Sequence, residues 1–331
     1  MPGRVQQWPA WAEFAEQDAA EVKDPDFLST KKAIVAQYGA DRLRQSWVSV
    51  CKQLETVTEE IASKGHSIIP VLDASRLLEE GLTGAQTQEV KRVGVFVVRG
   101  LIAESEARQH YADLKQYVAD NKDKIQGWPA ESPSMLMLYD SPTQNALRAH
   151  PNHLRLQRIL NGLWHDATGD TSPEPLVYYD GVRDRPPGQE FLGLGPHIDA
   201  GSLCRWADRS YREFYAHIFS GKPELHDCYN LGLRKDADQE LYPGIAHSSV
   251  FRSFQGWTAL TRTAPNEGTL LAYPNVATAV SYVMLRPFFT PPTIRRTSWT
   301  RQNGAWTTRR AGSRGRSRQK ASASAARHTR I

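Results

Sequence analysis

His197 and Asp199 lie one residue apart in Leu194-Gly195-Pro196-His197-Ile198-Asp199-Ala200-Gly201-Ser202, and no other residues of the chain are better suited to chemistry. On an extended segment, side chains two positions apart point the same way, so this imidazole and this carboxylate can face a single metal ion. Such a pair makes up two-thirds of the 2-His-1-carboxylate face that holds non-haem Fe(II) and leaves positions open for reaction. The same spacing also arises by chance in a chain with 10 His, and a loop histidine hydrogen-bonded to a nearby carboxylate is the plainer alternative. The local chemistry favours a site: Gly193, Gly195 and Gly201 permit tight turns and close backbone approach, and Pro196 holds Gly195 extended.

The third ligand is missing from the motif. His247, in Ile245-Ala246-His247-Ser248-Ser249, is a weak substitute within the chain. His217 falls in a predicted helix with Tyr211, Phe214 and Tyr215 and reads as a packing or surface residue. His226 stands beside Asp227 and near Cys228, which raises zinc, but no Cys-x-x-Cys pair supports it. Arg205, Trp206, Arg252 and Trp257 can line a cavity beside the pair. They can equally serve packing and ion pairs, as Arg and Trp often do.

Two groups of elements must position these residues. From Asp41 to Lys64, Leu43, Trp47, Val50, Leu54, Val57 and Ile61 recur at steps of four and three, which predicts a helix stopped by Gly65. A short β-branched run over 93–98 predicts a buried strand. Helices are predicted over 103–121, with Tyr111, Leu114, Tyr117 and Val118 on one side, and from Pro151 to Trp164. From Pro175 onward the pattern shifts to short apolar runs divided by Gly and Pro: 176–179, 191–194, 268–273 and 279–285. Many short strands with turn residues between them suggest a sandwich or jelly roll. The expectation is therefore an α+β chain. It comprises a polar arm over 1–30, a single domain over 31–292 (helical to 170, strands from 171) and a tail over 293–331.

Composition limits the partners. The formal charge is +5, but residues 293–331 hold eleven Lys or Arg and no acid, and the 30 basic and 36 acidic residues before them give the body a charge of −6. Nucleic-acid binding would rest on that tail alone, and Arg with Ser in this density reads as solvated disorder. Cys51, Cys204 and Cys228 are few and scattered, which fits a reducing compartment. No apolar run is long enough for a membrane span and the N-terminus lacks a signal-peptide core, so the expected location is cytoplasmic.

The segment Gly195 to Trp206 resembles the metal-binding stretch of the DUF1479 family, a branch of the Fe(II)/2-oxoglutarate-dependent dioxygenases. Phe251-Arg252-Ser253-Phe254-Gln255-Gly256-Trp257-Thr258-Ala259-Leu260 resembles a distinctive string of that family. So do Gly268-Thr269-Leu270-Leu271, Leu285-Arg286-Pro287-Phe288-Phe289, Gly94 to Gly100 and His150-Pro151-Asn152-His153-Leu154-Arg155. The likeness runs from about residue 30 to 290. It implies a double-stranded β-helix (jelly-roll, cupin-like) core with the N-terminal helices packed on it, and His197 and Asp199 as iron ligands. It implies Fe(II) with 2-oxoglutarate as cosubstrate, and oxidation of a small molecule with release of succinate and CO2. The distal histidine and the basic residue that grips 2-oxoglutarate belong, in such a family, downstream of Leu-Arg-Pro-Phe-Phe. Neither is recognisable here, so the expectation is a β-helix incomplete at its C-terminus. The alternative is a non-catalytic β-helix protein that binds a ligand or partner.

Overall fold

In the computed structural model, the residues described are 27–176, 179–189, 197–199, 203–242, 251–264, 267, 269–290 and 305–306. The chain begins with α1 (Phe27–Tyr38), α2 (Ala40–Lys64), β1 (Val71–Asp73), α3 (Ala74–Glu80), α4 (Gly84–Val93) and β2 (Val97–Arg99). There follow α5 (Glu104–Asp120), β3 (Gly127–Trp128), β4 (Met135–Leu136), α6 (Pro142–Ala149), α7 (Pro151–Asn161) and β5 (Val182–Arg183). The remaining elements are α8 (Cys204–Ala207), α9 (Arg209–Phe214), α10 (Ala216–Phe219), α11 (Leu231–Arg234), α12 (Val276–Leu285), β6 (Phe289–Thr290) and β7 (Ala305–Trp306). They divide into two compact units, one holding 69–197 and 250–272, the other 18–68, 198–249 and 273–331.

In the first unit, local signals set the element ends. Asp73 accepts from the Arg76 amide to cap α3, and Thr83 with Gln86 forms a reciprocal capping box on α4. Gly94 then ends α4 in the left-handed region at φ 74°. That stop corrects the strand expected over 93–98: Val93 closes the helix, and only Val97–Arg99 is strand, paired in parallel with β1. Strands β3, β4 and β5 form an antiparallel sheet. Its inner face sets Leu136, Leu138 and Val182 against Leu114 of α5. Pro151 opens α7 as expected, because a residue without an N–H costs nothing in a first turn.

In the second unit the predicted α2 is present, with Leu43, Trp47, Val50 and Val57 buried and Gly65 as its cap. Trp47 stacks on Phe289 at 4.5 Å and on Tyr282 at 5.6 Å. The strand expected over 279–285 is instead part of helix α12, packed on α2. Thr278, Ser281, Met284 and Leu285 are its buried residues, a three-and-four rhythm that only a helix puts on one face. Asn275 caps it by accepting from the Thr278 amide at 3.1 Å. The β-branched residues there signal apolar burial rather than pleating.

Among the described residues the second half is richer in helix than its composition suggested, with five α-helices between 204 and 285. The 268–273 run has no strand at its described positions, 191–194 lies outside the described residues, and 176–179 is described only at Leu176 and Tyr179. Among the described residues the sheets have two or three short strands, and no jelly roll is assembled from them. Most of the 1–30 arm and of the 293–331 tail also lies outside them. Ala305–Trp306 is an exception, pairing antiparallel with Phe289–Thr290.

Candidate functional site

His197, Ile198 and Asp199 form a short irregular stretch, all three exposed. The residues immediately before and after, and His247, lie outside the described residues. The division between the two compact units falls between His197 and Ile198. Just downstream, the buried Arg205 of α8 donates from its guanidinium to the backbone carbonyl of Asp199 at 2.8 Å. Arg205 thereby fixes the main chain that carries the carboxylate. A charged group this deeply buried requires such a partner.

Trp206, the next residue, turns the other way. Its ring lies in the core, edge-on to Phe27 at 6.4 Å, and its indole N–H donates to the Met284 carbonyl at 3.0 Å. That carbonyl is in the last turn of α12, where main-chain acceptors lack helical partners.

Arg252 and Trp257 are both exposed. They stand on the outer side of a segment pinned by its other residues: Phe251 against Trp164 at 4.8 Å, Phe254 against Phe96 at 5.9 Å, and Ser253 to Asn161 at 2.5 Å. The structure thus joins Arg205 to the main chain of Asp199. Of the four expected lining residues, Arg205 and Trp206 belong to one compact unit and Arg252 and Trp257 to the other. Among the described residues, no three His, Cys, Asp or Glu side chains assemble as a metal-binding set.

One constellation escaped the sequence reading. Glu106 Oε1 lies 3.5 Å from His110 Nε2 and 3.4 Å from His150 Nε2, with the ring of His153 5.7 Å from that of His150. The four-residue step from Glu106 to His110 on α5 was the available signal. The hydrogen bonds decide its character. His150 Nδ1 accepts from the Asn152 amide at 3.1 Å, capping α7, so in the neutral ring Nε2 carries the proton and donates toward Glu106. His153 donates from Nδ1 to the Leu147 carbonyl at 2.7 Å, which leaves Nε2 to accept from Thr258 Oγ1 at 3.0 Å. Burial pushes the His153 imidazole below its ordinary range. With these lone pairs committed, the cluster is a hydrogen-bond network tying α5, α7 and the 251–260 segment together rather than a ligand set.

His226 and Cys228, raised as a zinc pair, are both desolvated. Burial drives the His226 imidazole down to about 4 and the Cys228 thiol up to about 12. His226 packs against Phe214 at 4.9 Å and Tyr215 at 5.4 Å, and its Nε2 has no hydrogen-bond partner among the described residues.

The family model described as Gig2-like matches residues 21–320, running thirty residues past the point near 290 where the likeness was expected to stop. YbiU, an uncharacterised protein of Escherichia coli K12, is 29% identical over 274 residues, covering 78% of this chain and 64% of its own. The crystal structure of GlcNAc Inducible Gene 2, GIG2 (DUF1479), from Candida albicans superposes with a TM-score of 0.76 at 26% identity, covering 86% of this chain and 61% of that one. A Salmonella typhimurium LT2 protein provisionally described as an oxidoreductase gives a TM-score of 0.69 at 28% identity, covering 78% and 66%. The chain thus spans 61% to 66% of the length of these relatives. No described helix is long and apolar enough to cross a membrane.

Proposed function

The chain belongs to the Gig2-like family, and we propose that it is an Fe(II)/2-oxoglutarate-dependent dioxygenase that hydroxylates a small molecule. The observation that carries this reading is the pair His197 and Asp199, exposed and one residue apart, beside an arginine that holds the Asp199 main chain. One imidazole and one carboxylate suit a borderline divalent ion such as iron. His197 and Asp199 would hold it, with His247 as the candidate for the third position. The provisional description of the Salmonella relative as an oxidoreductase agrees in class. A double-stranded β-helix closing around the pair belongs to the same proposal.

Within this scheme the iron with 2-oxoglutarate supplies activation of O2 and the oxidising equivalent, yielding succinate and CO2. The chain's own residues bind and orient. Arg205 keeps the Asp199 backbone from rotating, so the carboxylate is presented with less entropy to lose on ligation. The exposed Arg252 and Trp257 offer a cation and a flat apolar face to a substrate.

Anaerobic titration with Fe(II) and 2-oxoglutarate tests the reading. One equivalent of metal should produce a visible metal-to-cosubstrate absorption band and, on admitting air, succinate. His197→Ala and Asp199→Ala should abolish both, and loss of iron from His247→Ala would identify the third ligand. Absence of iron binding in the parent chain refutes the metal site. Iron binding without succinate favours the ligand-binding alternative.

A further inference from the structure

The three-stranded sheet of the first unit has a second face that no described element covers. Trp128, Met135 and Arg183 stand in one row across β3, β4 and β5. Met137 and Tyr139 follow Met135 at two-residue steps, the alternation that keeps them on its side of the chain while Leu136 and Leu138 turn into the core. Tyr179 meets Tyr139 edge-on at 6.2 Å. All six side chains are exposed. A contiguous apolar surface of this kind on a folded unit marks an interaction site, and methionine adapts such a surface to an irregular partner.

We propose that this face is the docking surface for the chain's own N-terminal arm, residues 1–26, seated through Trp8, Trp11 and Phe14. The three aromatics recur every third residue, so one side of the arm can present all of them. The arm holds six acidic and two basic residues, a net charge of −4, with every acid at or after Glu13. Arg183, at the β5 end of that row, has no carboxylate partner among the described residues and offers those acids a cation. The far end of the face, beside Tyr179, carries Asp140 and Asp180, both bound to Arg148. The arm's carboxylates therefore belong at the Arg183 end. Twelve residues lie between Phe14 and Phe27, where the described chain begins, and extended they span about 40 Å. Covalent tethering raises the arm's local concentration far above that of a free partner, which favours it over a second copy.

Methionine oxidation by dilute hydrogen peroxide reads the occupancy directly. Met135 is 48% and Met137 58% exposed on the bare sheet, whereas Met284 is fully buried and serves as an internal control of folding. Peptide mass spectrometry of the full chain should show Met135 and Met137 oxidising slowly. In the triple variant Trp8→Ala, Trp11→Ala, Phe14→Ala their rates should rise several-fold while Met284 stays protected. Arg183→Glu should raise them as well. Equal rates in parent and triple variant overturn the proposal. Protection that survives the triple substitution and grows with protein concentration also overturns it, in favour of self-association.

Discussion

Lowering the pH from 7 to 4 should destabilise the second unit through one residue, His226. Its imidazole is 7% exposed, enclosed by Phe214 and Tyr215, and held neutral mainly by desolvation. Asp227 pulls its pKa the other way, while His217 and Arg234 add to the depression. The folded state therefore resists protonation down to about 4, whereas the unfolded chain takes up a proton near 6.5. Between those values the unfolded state binds more protons, so stability is complete above pH 6.5 and drains away as pH falls toward 4. At about 1.4 kcal/mol per pH unit this single site is worth about 3 kcal/mol across the window. Urea unfolding followed by tryptophan fluorescence at pH 7, 6, 5 and 4.5 measures it. His226→Gln removes the titration while keeping an amide donor. The variant should be less stable at pH 7, and its deficit should shrink, or reverse, as the pH drops. Parallel stability curves for parent and variant would refute the reasoning, as would an imidazole resonance of His226 titrating near 6.5.

Other perturbations follow from single contacts. Trp206→Phe keeps the ring in the core but leaves the Met284 carbonyl without its 3.0 Å donor, and should cost about 1–3 kcal/mol in chemical denaturation. Gly221→Ala forces a side chain onto a residue at φ +93° with the new Cβ 3.0 Å from Gln45 Oε1; a loss of about 1–2 kcal/mol is expected, read as a lowered urea midpoint. Thr83→Ala removes one half of the α4 capping box and should lower stability by about 1 kcal/mol, with Thr83→Ser restoring most of it.

Much of the scaffold was legible in order along the chain. Helix α2 was, because its burial stripe and the glycine that ends it are local facts within 26 residues. Pro151 announced α7 for the same reason. The 279–285 run reads as a strand although it lies in α12, since its β-branched and small residues satisfy either periodicity. What decides is Asn275 at the start of α12 and the face of α2 against which it packs, and only the second gives the first its meaning. The Gly94 stop was available in the sequence, yet the apolar run continuing through it outweighed the glycine.

The site divides in the same way. Sequence alone determined that a histidine and an aspartate, His197 and Asp199, stand one residue apart, because that separation is covalent. It also marked the family, through strings that Gig2-like membership bears out. Only the tertiary structure decided that Arg205 holds the Asp199 carbonyl while its neighbour Trp206 enters the core and caps α12. Only it decided that His150 and His153 spend their lone pairs on main-chain and threonine partners, and that His226 loses its charge. These outcomes depend on which groups from distant parts of the chain come within 3 Å and on how much water they exclude. Spacing along a sequence fixes neither quantity.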